Sequence, residues 1–185
     1  MTNETTDQAG LDEEEIARLV SELGNKNGME RRHAREALEK AGSAATPILI
    51  EQLNNPKDNV RWEATKALVH IADPKAGATL VKTLMDESFE IQWLAAEALI
   101  ALGKDAIKPL LEGVVHNPGS VYMRQGAHHV LHDLERRDEL PPVVINALDD
   151  LRFLEPREPY PISAKRALEE LYGKPLNPPS NSNEN

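Results

Sequence analysis

Three observations predict an all-α fold built as an α-solenoid. A stripe of small and aliphatic residues with the spacing i, i+3, i+4, i+7 occurs five times along the 185 residues. A second aliphatic stripe alternates with it, its leading residue moving from Leu19 to Leu49, Leu80, Leu111 and Val144, a step of 30 to 33 residues. Asparagine, aspartate, glycine and most prolines fall between the stripes. A repeat of this period is the signature of stacked helix pairs, each too small to bury its own apolar face.

Composition agrees. Apolar residues make up 40% of the chain and aromatics only 4%, so alanine and the aliphatics must fill the core. Such side chains suit closely stacked helices. The net charge of −10 sets up no positive field for a nucleic-acid backbone. Residues 1–24 hold seven acidic side chains and one basic, a net of −6, which leaves the remainder only mildly acidic. Arg31, Arg32 and Arg35, and the pair Arg136 and Arg137, are the basic clusters, and they read as solvated helix faces. The absence of cysteine excludes disulfides and thiolate chemistry. No apolar run approaches the roughly 20 residues of a membrane span, and the acidic start lacks a signal-peptide core. A soluble cytoplasmic protein with no cofactor is the expectation.

In chain order, residues 1–10 are polar and aperiodic and are expected to be a disordered tail, with a repeat domain over 11–173. The first helix, residues 12–23, opens with Glu13, Glu14 and Glu15, where the helix dipole favours acids, and carries Ile16, Leu19, Val20 and Leu23 on one face. From there each repeat has a first helix, A, and a second, B. The A stripe reads Ala34, Ala37, Leu38, Ala41, then Ala64, Ala67, Leu68, Ile71, then Ala95, Ala98, Leu99, Leu102. Ala127, Val130, Leu131, Leu134 and Ala164, Ala167, Leu168, Leu171 complete it. The B stripe adds Leu23, Leu53, Leu84, Val115 and Leu148 four residues after its leading positions. Ser43 and the pair Asp73–Pro74 open B helices, and Gly103 ends an A helix. Pro47, Pro109 and Pro142 share one register near the B starts. The connection over 152–161 is longer and richer in proline. The helix at 163–172 is an A-type helix without a B partner and is expected to cap the array, as the first helix caps the other end. Residues 174–185 are expected to be a second disordered tail.

Arg61, Ala64, Ala67 and Leu68, with Asp73–Pro74 and the leucines of the next B helix, resemble HEAT-like repeats of the short phycobilisome-lyase type over about residues 12–172. The resemblance implies a right-handed superhelix with B helices on a concave face. It implies little about activity, because the family spans scaffolds, bilin lyase subunits and a metal-dependent hydroxylase. Deoxyhypusine hydroxylase, of the same repeat class, holds iron through His–Glu dyads before the small alanine of its A helices. The corresponding pairs here are Arg32–His33, Trp62–Glu63, Trp93–Leu94 and Gln125–Gly126, none of them such a dyad.

Three constellations remain as candidate sites. Trp62 and Trp93 share a register one repeat apart, with Tyr122 near the corresponding point of the next, and could form an aromatic row for a partner. Bilin lyase subunits are similar in carrying aromatic residues after the same arginine. Glu51, Lys82, Gly113 and Asn146, and the adjoining Gln52, Thr83, Val114 and Ala147, are expected on the B surface, a mixed stripe suited to protein and not to DNA. His128 and His132 stand four apart on one helix face, a two-point metal grip for which Glu97 or Asp133 is a conceivable third donor. Packed, hydrogen-bonded histidines are the simpler reading. The function expected is a non-catalytic interaction or scaffold module binding a protein or peptide. The alternatives are a lyase-like or chaperone-like subunit handling a bilin or its carrier, and a metal-binding repeat protein.

Overall fold

The structure is a computed structural model that describes residues 11–151 and 162–173. The expected tails and the proline-rich connection over 152–161 lie outside the described residues. What is described is helical throughout. The A helices are α2 (Gly28–Ala41), α4 (Asp58–Ile71), α6 (Phe89–Leu102) and α8 (Val121–Arg136); the B helices are α1 (Glu13–Glu22), α3 (Thr46–Gln52), α5 (Gly77–Thr83), α7 (Ile107–His116) and α9 (Pro142–Leu151). The last helix is α10 (Ile162–Tyr172).

The A helices lie side by side in chain order, and each of α1, α3, α5 and α7 packs against the A helix that follows it. Both B registers, from Leu19 to Val144 and from Leu23 to Leu148, are buried at every copy. In the A stripe Ala34, Ala64, Ala95 and Ala127 are buried, so the small residue marks where neighbouring backbones come close. One contiguous core runs the length of the array.

The ends of the elements follow local chemistry. Asp12 caps α1, its carboxylate accepting from the Glu15 amide at 2.8 Å. The A helices α2, α4 and α6 close on one register with positive φ, at Gly42 (61°), Ala72 (50°) and Gly103 (59°). At Gly42 and Gly103 ψ is −136° and −130°, a backbone that crowds a Cβ; Ala72, with ψ 41°, is instead left-handed helical, which a non-glycine residue holds at a cost. Ser43, expected to open a B helix, lies inside the 3-10 turn Gly42–Ala44 and caps neither that turn nor α3; Asp73 does cap the 3-10 turn Pro74–Ala76, and α3 and α5 begin after these turns, at Thr46 and Gly77. The Asp73 carboxylate accepts from the Lys75 amide at 3.0 Å.

The sequence expectation fails at the last helix. Its stripe predicts an A helix following α8, but α10 packs against α7 and α9 in the B layer. Ala164, Ala167 and Leu168 are buried there, so the same stripe serves a different neighbour. Periodicity specifies which face is apolar and leaves open what that face meets.

Candidate functional site

The arginine that opens the repeat motif belongs to the joints between repeats. Asn25, Asn55 and Asp86 occupy equal positions in three successive turns, and each side chain accepts from the amide two residues on, at 2.9, 3.0 and 2.9 Å. The residue six later ties down the backbone carbonyl of the same turn. Arg31 donates to the Asn25 carbonyl and Arg61 to the Asn55 carbonyl, both at 2.9 Å, and the Gln92 amide donates to the Asp86 carbonyl. Buried Arg61 also grips Asp86 with two bonds, 2.8 and 3.1 Å, and reaches Glu87 at 3.0 Å. Asp86 chiefly, and Glu87 after it, raise its pKa, so it stays charged. Arg61 and Asp86 neutralise each other inside the joint, with Glu87 at its solvent edge.

Trp62 and Trp93, equal in register, have unlike surroundings. Trp62 is half-buried beside Arg31, Arg32, Arg35, Asn59 and Glu63. Glu63 is buried and accepts from Arg31 at 3.3 Å and from Arg35 at 3.0 Å, so the guanidinium groups next to Trp62 are already paired. Arg32 in turn pairs with Glu36 at 2.8 Å. Trp93 instead stands 49% exposed, its ring centre 4.8 Å from that of His129 at a tilt of 33°.

Around Trp93 the apolar exposure extends. Tyr122 is 56% exposed, and two residues that periodicity passes over join it: Phe89 at 72% and Val121 at 51%. Phe89, Val121 and Tyr122 lie in the first turns of the adjacent helices α6 and α8, and Trp93 lies one turn after Phe89. No stripe picks out Phe89 and Val121; their one sequence signal is an apolar residue directly after the N-cap positions Ser88 and Ser120. Three aromatic side chains with one aliphatic neighbour are the composition of an interface anchor.

The predicted B-surface row is interrupted at Gly113. Glu51, Lys82 and Asn146 are exposed, but a Cβ at Gly113 would lie 2.3 Å from Val81 and 3.3 Å from Met123, so that position is a helix-to-helix contact. In the neighbouring register Thr83, Val114 and Ala147 are buried. Asn146 sits with Val143, Asp150, Ile162, Ser163 and Arg166 in the cleft between α9 and α10. The displaced α10 thus divides the row. Its end reaches α7, where the Lys108 ammonium lies 5.4 Å from the Tyr172 ring centre. Burial pushes the Tyr172 phenol up, and Asp105 and Glu112 add to that.

Of the histidines, His128 and His132 do share a face, their rings stacked with centres 5.9 Å apart and planes at 20°. The proposed third donors point elsewhere. Glu97 lies 3.6 Å from His129, and Asp133 lies 2.6 Å from Arg137. No group of three ligating side chains is assembled among the described residues. No described helix is long and apolar enough to cross a membrane.

Comparison with known proteins adds a family and a fold. The family model for HEAT repeats matches residues 16–100 and 46–132, more than half of the chain. No curated protein matches it in sequence. Among solved structures it is similar to a chain in the complex of CpcE and CpcF of phycocyanin lyase from Nostoc sp. PCC7120, at 22% identity and a TM-score of 0.56, covering 84% of this chain and 99% of that one. An engineered protein is similar at 19% identity and a TM-score of 0.44, covering 83% and 77%.

Proposed function

The chain belongs to the HEAT-repeat family, and from that premise we propose that it is a non-catalytic interaction module whose partner is a protein held on the exposed edge at the starts of α6 and α8. The observation that carries this reading is the exposure of Phe89, Trp93, Val121 and Tyr122 together on two adjacent helices. Clustered apolar surface is costly to leave in water and marks contact sites. Aromatic side chains there supply most of the binding energy in protein interfaces. The buried Arg61 and Glu63 are each held by opposite charges and serve the joints between repeats. The similar chain of phycocyanin lyase is itself half of a two-protein complex, which agrees with a protein partner by analogy of fold.

The test is affinity capture from the native cell with the wild-type chain and with Trp93→Ala/Tyr122→Ala, followed by direct titration of the captured protein. Both positions are exposed, so the double variant keeps the fold. The affinity is expected to fall at least tenfold, an energy of about 1.4 kcal/mol or more; equal affinity would place the interface elsewhere. Adding a bilin to the same two proteins separates the pigment reading, which has the fold likeness alone behind it. Visible absorbance and quenched tryptophan fluorescence would favour it.

A further inference from the structure

Trp93 stands between two carboxylates. On α6 it follows Glu90 by three residues and precedes Glu97 by four, so the three share one helix face. Glu90 is exposed and Glu97 half-buried. Neither meets a lysine or arginine among the described residues. Glu90 accepts from the Ser88 hydroxyl at 2.9 Å, and the basic group near Glu97 is His129, 3.6 Å away. Its own backbone amide first, and the Ser88 hydroxyl after it, hold the Glu90 carboxyl below its ordinary range, so it is charged at neutral pH. Just before α6, Arg61 meets both Asp86 and Glu87, one cation against two anions, which leaves that corner negative. Other acids on the A helices are answered: Glu36 by Arg32, Glu39 by Arg35 and Asp133 by Arg137. One repeat earlier the sign reverses, since Trp62 lies among three arginines and the register of Glu97 holds Lys66.

We propose that the partner segment bound at this edge is cationic and amphipathic. Its apolar side chains cover Phe89, Trp93, Val121 and Tyr122, and its lysine or arginine side chains meet Glu90 and Glu97. This rests on the edge reading above and specifies the partner's chemistry. The two carboxylates are separated by about 10 Å along α6. A helical segment lying along α6 therefore answers with cations seven residues apart and a large apolar residue between them. Arginine fits best, because its guanidinium plane also stacks on exposed aromatic rings. A second copy of this chain fits poorly, since its own net charge is −10 and like charges across an interface repel.

The test is selection of phage-displayed random peptides, each about 16 residues or four helical turns long, on the full chain. The selected peptides are then synthesised and titrated by calorimetry. They are expected to carry lysine or arginine beside large apolar residues and to weaken as salt is added. Their affinity should fall at least about tenfold in Trp93→Ala/Tyr122→Ala and at least about fivefold in Glu90→Gln/Glu97→Gln. Glu30→Gln, which removes an exposed acid on α2, should leave it unchanged. Melting temperatures equal to the wild type exclude a folding effect. Peptides that are neutral or acidic and ignore the two glutamates, yet need the aromatic pair, overturn the cationic partner and leave the edge standing. Binding indifferent to the aromatic pair overturns both. A selection without binders overturns the cationic segment, as does a dimer of the chain in sedimentation that Trp93→Ala/Tyr122→Ala dissolves.

Discussion

The joint between α2 and α4 and the joint between α4 and α6 use the same two registers in opposite ways. At the first, Arg35 of α2 meets Glu63 of α4 at 3.0 Å, with Arg31 reaching the same carboxylate. At the second those registers hold Thr65 and Leu94, both buried. At the third, α6 to α8, they hold Ala96 and Gly126, and a Cβ at Gly126 would come within 2.8 Å of Leu84. A repeat joint therefore does not require particular residues. It requires that the two sides match in charge and in volume.

Removing one side of the charged joint should have the largest effect. Glu63→Ala takes the shared carboxylate from Arg31 and leaves Arg35 with Glu39 alone in a mostly buried place, and should cost about 3 kcal/mol by urea denaturation. Leu94→Ala, which opens a void at the apolar joint, should cost about 2 kcal/mol. Exchanging the chemistry of the joints sharpens the comparison. Arg35→Thr/Glu63→Leu gives the first joint the residues of the second, and should be at least about 1 kcal/mol more stable than Glu63→Leu alone. Additive single effects in that cycle would show that the two registers do not depend on each other. Ala72→Gly, which matches the glycine of the flanking repeats, should raise stability by about 0.5 kcal/mol by relieving positive φ.

The smallest predicted effect lies at α10. Because the Tyr172 phenol is raised in the folded state, folding favours its neutral form. That contribution is complete below the ordinary phenol range and is lost as pH climbs through and beyond it. Tyr172→Phe should flatten this alkaline limb of a pH-stability curve; an unchanged limb would assign it to other groups.

Much of this was readable in advance, for physical reasons. Alternation of helix-period stripes is a property of each helix alone, so the B leucines and A alanines identified the core before any packing was known. Trp93 and Tyr122 stood out because large aromatics are rare in this chain. Phe89 and Val121 did not, since a first-turn residue belongs to no stripe and its exposure depends on the neighbouring helix. Gly113 looked like open surface; its lack of a side chain instead lets Val81 approach. The role of Arg61 was similarly hidden, because its motif spacing says nothing about a carbonyl six residues earlier.

The turn of α10 away from the A layer changes the connectivity of the whole array. Elsewhere each helix touches others close to it in the chain, so the repeats behave as a row in which any link can form first. By packing on α7 as well as α9, α10 skips past α8 and links segments more distant along the chain than any two neighbouring repeats. That link carries a larger loop-closure cost and gains its contacts only after α7 and α9 are in place. The C-terminal end should therefore form late and, once formed, should make its last helices melt as one unit, while the N-terminal repeats stay free to fray singly.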